Sequence, residues 1–114
     1  MSDMPDWVTG FPGAVTVSDR DHRIVYMNDK SAKTFAKWGG EALLGKSLVD
    51  CHKPESIAAM RRILESGEPN VYTIEKEGQR KLIYQAPWRK DGAIAGLVEL
   101  SLVVPAEMPH FVRS

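Results

Sequence analysis

Residues 50–67 read Asp50-Cys51-His52-Lys53-Pro54-Glu55-Ser56-Ile57-Ala58-Ala59-Met60-Arg61-Arg62-Ile63-Leu64-Glu65-Ser66-Gly67, the clearest helix pattern in the chain. Pro54 suits a first helical turn, where its missing N–H has no intrahelical partner to lose. Gly67 suits the position just past a helix end, which favours a left-handed backbone. Between them Ile57, Met60, Ile63 and Leu64 recur at helical spacing and share one face. Arg61, Arg62 and Glu65 fall on the other. An amphipathic helix needs an apolar surface to cover, and strand-like segments on either side of it supply one.

After Gly67 the hydrophobic period changes to two. Asn70–Lys76 is strand-like, and Glu77-Gly78 is a turn signal. Arg80–Arg89 alternates, with Leu82, Tyr84, Ala86 and Trp88 on one side. Pro87 cannot donate to a ladder, so this strand lies at an edge or is bulged there. Lys90-Asp91-Gly92 is a second turn. Ala93–Val104 is the longest strand, with apolar residues on both sides (Ile94, Val98, Leu100 and Leu102; Leu97 and Val103), which predicts a central strand covered on both faces. Pro105 stops it.

Before residue 50, Ala14–Ser18 and Arg23–Met27 make a hairpin around Asp19-Arg20-Asp21-His22. Val15 and Val17 share one face of the first strand, and Thr16 takes the other. Asn28 is a good N-cap for a short helix carrying Ala32, Phe35 and Ala36, which Gly39-Gly40 ends. Glu41–Leu44 is one further turn. The segment 1–13 is an N-terminal cap whose Trp7 and Phe11 suit either a lid packed on the core or a dimer contact, 14–104 is the domain, and 105–114 is a tail or linker. The sum is an α+β fold: a five-stranded antiparallel sheet with helices on one face. Pairing the last strand with the first puts strand one in the middle, beside its own hairpin partner.

Composition narrows the function. The chain has 114 residues, enough for one core. Fifteen basic and fifteen acidic side chains cancel, which argues against a nucleic-acid partner and against a polybasic membrane contact. One cysteine makes no internal disulfide, so a cytoplasmic setting is expected. No apolar run approaches the ~20 residues of a membrane span. There is no phosphate-binding Gly-rich loop and no Gly-x-Ser-x-Gly elbow, so no enzyme is expected.

The order of elements, with its landmarks, resembles a PAS domain of bacterial type. Pro12-Gly13-Ala14-Val15 resembles that family's lead-in to its first strand. Ile24-Val25-Tyr26-Met27-Asn28 resembles its second strand and frequent asparagine. Glu41-Ala42-Leu43-Leu44-Gly45-Lys46-Ser47 is similar to the segment before its main helix, and Asp91-Gly92 with Ile94, Ala95 and Gly96 to its last hairpin. Asp50-Cys51-His52 with Pro54 is similar to a Cys-His-Pro motif in a subset of these domains, with Lys53 inserted. The resemblance covers residues 11–104. It implies a sensory, signal-transducing module with a ligand or cofactor pocket between helices and sheet, output through the termini, and a homodimer or an attached output domain.

Candidate pocket residues are Tyr26, Asn28, Phe35, His52, Met60, Ile63, Tyr84 and Trp88. Each apolar member equally suits plain core packing. Tyr84 and Trp88 need partners for their polar atoms if buried. Asn28 serves as a cap or as a ligand contact. His52 either ties down the loop before the helix or ligates a haem iron. Cys51 lacks the Asn, Arg and Gln that flank the cysteine of light-sensing flavin relatives, and it suits a small buried hydrophobe. No metal site is expected, because adjacent Cys51 and His52 do not share one tetrahedral ion easily and no other cluster supports them. The cofactor is therefore undefined, with haem and flavin both open in principle. The alternatives to a ligand-binding sensor are a ligand-free interaction or dimerisation domain with a filled core, and a haem sensor built on His52.

Overall fold

The computed structural model describes residues 4–50 and 52–114. Helix α1 (Asp6–Thr9) precedes strands β1 (Ala14–Asp19) and β2 (Ile24–Met27) and helix α2 (Asp29–Thr34). Short 3-10 turns at Ala36–Trp38, Gly40–Leu43 and Leu48–Asp50 lead to helix α3 (Pro54–Ser66). Strands β3 (Asn70–Lys76), β4 (Gln79–Lys90) and β5 (Ala93–Val104) follow. One antiparallel sheet holds all five in the order β2-β1-β5-β4-β3. Strand β1 thus sits between its hairpin partner and the last strand, as the pattern predicts.

Helix α3 forms for the expected reasons. Pro54 opens it, and Gly67 closes it at φ 78°, its amide donating to the Ile63 carbonyl at 2.8 Å. Met60, Ile63 and Leu64 are buried against Leu97 of β5, with Ile57, Leu48 and Ile94 packed around them. Each such side chain contributes about 1.5–3 kcal/mol by leaving water. The two C-terminal hairpins close through Glu77-Gly78 and Asp91-Gly92, all four at positive φ. Two-residue loops of that shape match the twist of paired strands.

Successive strand residues point to opposite faces. Leu97 packs under α3, so Val98 lies on the far face, where Val17, Tyr26 and Val8 bury a second cluster with Trp88 beside it. Helix α1 therefore covers the face opposite α2 and α3. Val8 is its packing residue, whereas Trp7 is 72% exposed and Phe11 only partly covered. A four-residue helix has one face to offer, and Val8 occupies it.

Three departures from simple alternation have local causes. Thr16 and Ser18 are buried although polar, because α2 covers their face and the Thr16 and Ser31 hydroxyls bond at 2.6 Å. In the first hairpin Val17 pairs with Tyr26 and Ser18 with Ile24. Val25 is then an extra residue, so Tyr26 turns to the far face while Ile24 stays with the helices. Between β4 and β5, Trp88 pairs with Gly96 but Arg89 with Ile94. Ala95 is the extra residue here, and Ile94 moves under α3 rather than sharing a face with Val98. Pro87 pairs with Leu97 of β5 but lies beyond Asn70↔Gln85, where the β3–β4 pairing ends, so β3 asks no N–H of it.

Candidate functional site

Between the helix layer and the sheet lies a small, partly open cavity of about 40 Å³. Strands β1, β2 and β5 contribute Thr16, Ser18, Ile24, Leu97 and Glu99. The helical crossover contributes Phe35, Leu43, Leu48 and His52. Since a water needs about 10–15 Å³ on this measure, the cavity takes about three water-sized groups. It adjoins an open groove of about 410 Å³ under the first turns of α3. Phe35, His52 and Glu99 line both and mark the junction.

A polar row crosses the sheet at that junction. Asn70 pairs with Gln85, Gln85 with Glu99, and Glu99 with Thr16, one residue from each of β3, β4, β5 and β1. Asn70 Nδ2 donates to Gln85 Oε1 at 3.1 Å, and Gln85 Nε2 donates to Glu99 Oε2 at 3.0 Å. The amide dipoles thus align toward the carboxylate. Among the described residues no further donor reaches Glu99, and neither cavity nor groove is lined by lysine or arginine. Tyr72, on the groove wall, has its phenol pushed above its ordinary value by burial and by the charge of Glu99.

His52 Nδ1 donates to the Leu48 carbonyl at 3.0 Å, tying the ring to the preceding 3-10 turn. This is the loop-fixing role open to it from sequence, and the ring still borders the cavity. Cys51 lies outside the described residues. Among the described residues no three His, Cys, Asp or Glu side chains come together as a metal site would need, and no helix is long and apolar enough to cross a membrane.

The structure gathers only some of the sequence-derived candidates. Phe35 and His52 line both spaces, and Met60 lines the groove. Ile63 is core beneath α3, and borders a separate surface groove with Arg62 and Ser66. Tyr26, Tyr84 and Trp88 do not reach the cavity: they lie on the far face. The Val25 bulge turns Tyr26 there, and Tyr84 and Trp88 alternate with Gln85, which faces the groove. Trp88 Nε1 finds its partner in the Ser18 carbonyl at 3.0 Å, while Tyr84 is exposed. Asn28 is 1% exposed and fully engaged. Its Oδ1 accepts from Val15 N at 2.9 Å and Ser31 N at 3.0 Å, and its Nδ2 donates to Val8 O at 3.0 Å and Gly13 O at 2.9 Å. It caps α2 and pins the N-terminal segment, with no valence left for a ligand. Sequence reasoning missed Glu99, Gln85, Asn70 and Tyr72. A signal existed for one of them: Glu99 is the single charge among the twelve residues of β5, the others being apolar or small.

Comparison with known proteins agrees with this architecture. A family model described as PAS fold matches residues 8–107. No curated protein sequence matches the chain. Among solved structures, the PAS domain of the histidine kinase ThkA is similar at a TM-score of 0.66 and 24% identity, over 79% of this chain and 97% of that one. The VqmA–ligand–DNA complex of Vibrio cholera aligns at 0.68 and 20% identity, over 86% of this chain and 49% of VqmA, so the present chain spans about half of that receptor. The Aer2 receptor of Vibrio cholerae, a dual PAS–haem oxygen sensor, aligns at 0.64 and 17%, over 82% and 95%. These identities speak for the fold alone. With the family model spanning most of its length and the strand order, helical crossover and hairpins all in place, the chain belongs to the PAS fold family.

Proposed function

We propose that this domain is a non-catalytic sensory module that holds a small ligand at the junction of cavity and groove and passes its occupancy to the N-terminal segment. The observation that carries this reading is the junction itself. A carboxylate and two amides stand in register at the mouth of an apolar space that the core leaves unfilled. Ligand sites combine apolar walls with a few convergent polar groups in this way. The filled-core alternative predicts no such space. The cavity alone, about 40 Å³, is far below the ~300 Å³ of a pocket for a ligand the size of haem or flavin, so a group of that size would have to lie in the open groove.

A contiguous set of hydrogen bonds links the site to the cap. Thr16, on the cavity wall, bonds Ser31 at the start of α2; Ser31 N donates to Asn28; and Asn28 holds Val8 and Gly13. A ligand that displaces Thr16 or α2 acts on this chain. The receiving surface in this reading is the far sheet face, where Val71, Tyr84, Phe11 and Trp7 expose apolar area beside the cap. A second copy of the domain is the partner proposed for it, with an attached output domain as the other receiver. Its setting in this reading is the cytoplasm, supported by the single cysteine.

Native mass spectrometry of protein purified from its own host tests the proposal. The expected result is a small adduct, lost on denaturation, with no absorption band in the visible. Protein that carries no adduct, and whose groove amides stay unshifted in a fragment screen by NMR, overturns it in favour of the ligand-free interaction domain.

A further inference from the structure

The chemistry of the junction selects among ligands. Glu99 sits in the central strand with the helix layer above it, and its one donor among the described residues is a neutral amide, Gln85 Nε2 at 3.0 Å. A partly buried carboxylate gains most from a charged donor, and no lysine or arginine lines the cavity or the groove; the one base beside it, His52, gives its Nδ1 proton to the Leu48 carbonyl. The second carboxylate on the groove wall, Glu55 at the start of α3, adds to the same sign of field. Burial first, and then the charge of Glu99, push the phenol of Tyr72 on the groove wall above its ordinary value. Behind the carboxylate the space is bounded by Ile24, Leu43, Leu48 and Leu97 and has room for about three water-sized groups.

We infer that the ligand is a small organic cation, a short alkylammonium whose apolar end enters the cavity while its nitrogen donates to Glu99. This deepens the ligand-binding reading above and rests on it. The charge meets Glu99 at the junction, where the open groove keeps part of the ammonium in water. The cost of desolvating the ion is thereby limited, and the alkyl end leaves water altogether. An anion placed at the same point meets two carboxylates and neither lysine nor arginine to offset them. A neutral alcohol of the same shape keeps the apolar contact but leaves the carboxylate without a charged donor.

The test is a titration of the intact domain with three compounds of one carbon skeleton, isopentylamine, isopentanol and isovalerate. It is followed by amide chemical shifts at neutral pH in wild type and in Glu99→Gln. The amine is expected to shift Leu97, Glu99 and Gln85 and to saturate, with the alcohol about tenfold weaker or more and the acid weaker still. In Glu99→Gln the amine is expected to fall to the level of the alcohol. The series in wild type stands by itself should the variant fail to fold. Equal or tighter binding of alcohol or acid at the same residues overturns the cationic class and leaves the ligand-binding reading standing. Silence from all three, together with an adduct-free protein, overturns both.

Discussion

At the scale of single residues, the positions that matter most are those whose chemistry leaves no substitute. Gly96 is one. A Cβ there meets the Ser18 carbonyl and the Trp88 indole nitrogen, the two atoms that bond across this point. Gly96→Ala is therefore expected to cost about 1–3 kcal/mol through forced movement of packed groups, read as a lowered urea midpoint at unchanged slope. His22 is another. It is buried in the first hairpin at φ 64°, and its Nδ1 has no partner among the described residues. Burial first, then the Arg61 guanidinium, hold its pKa below the ordinary value, against the opposing pull of Asp19 and Asp21. The folded chain thus resists a proton that the unfolded chain accepts. Stability from this residue is intact above about pH 6.5, declines as pH falls below that value, and levels off once the folded ring protonates. Urea midpoints from pH 7.5 to 5 are expected to fall more steeply in wild type than in His22→Gln. Parallel curves would assign the acid sensitivity to other groups.

At the scale of elements, Asn28 joins three of them: β1 through Val15, α2 through Ser31, and the cap through Val8 and Gly13. Asn28→Asp separates these roles. The carboxylate keeps the acceptor that caps α2 but loses both donors and faces two carbonyl oxygens instead. Each lost buried bond costs about 1–3 kcal/mol. The expected outcome is release of α1 with the sheet intact, seen as faster hydrogen exchange at Gly10 and Phe11, whose amides bond within the cap, and unchanged exchange in β4 and β5. Uniform loss of protection would show that the cap is part of the global folding unit.

At the scale of the whole molecule, the sheet has one face under α2 and α3 and another that α1 covers only in part. Val71 and Tyr84 stand exposed on it, with Trp7 and Phe11 at its margin. If a second copy covers this face, a charge at its centre opposes association. Tyr84→Asp is expected to convert dimer to monomer by light scattering while leaving the groove on the other face able to bind its ligand. A wild-type protein that is monomeric at all concentrations would remove the homodimer from the proposed function without touching the pocket.

The elements, their order and the covered face of α3 were legible in the chain, because these follow from local rules: Pro54 and Gly67 bound a helix, Glu77-Gly78 and Asp91-Gly92 turn hairpins, and helical spacing sets which side chains share a face. The sequence also marked Phe35, His52 and Met60 as facing the space between the layers. Which face each strand residue takes was settled in the folded sheet, because one extra residue, Val25 in β2 or Ala95 in β5, inverts the alternation and leaves no trace in hydropathy. That inversion sends Tyr26 under α1 and Ile94 under α3. The polar row likewise needed the sheet. Asn70, Gln85, Glu99 and Thr16 are far apart in the chain, and strand register alone sets them side by side at the mouth of the cavity.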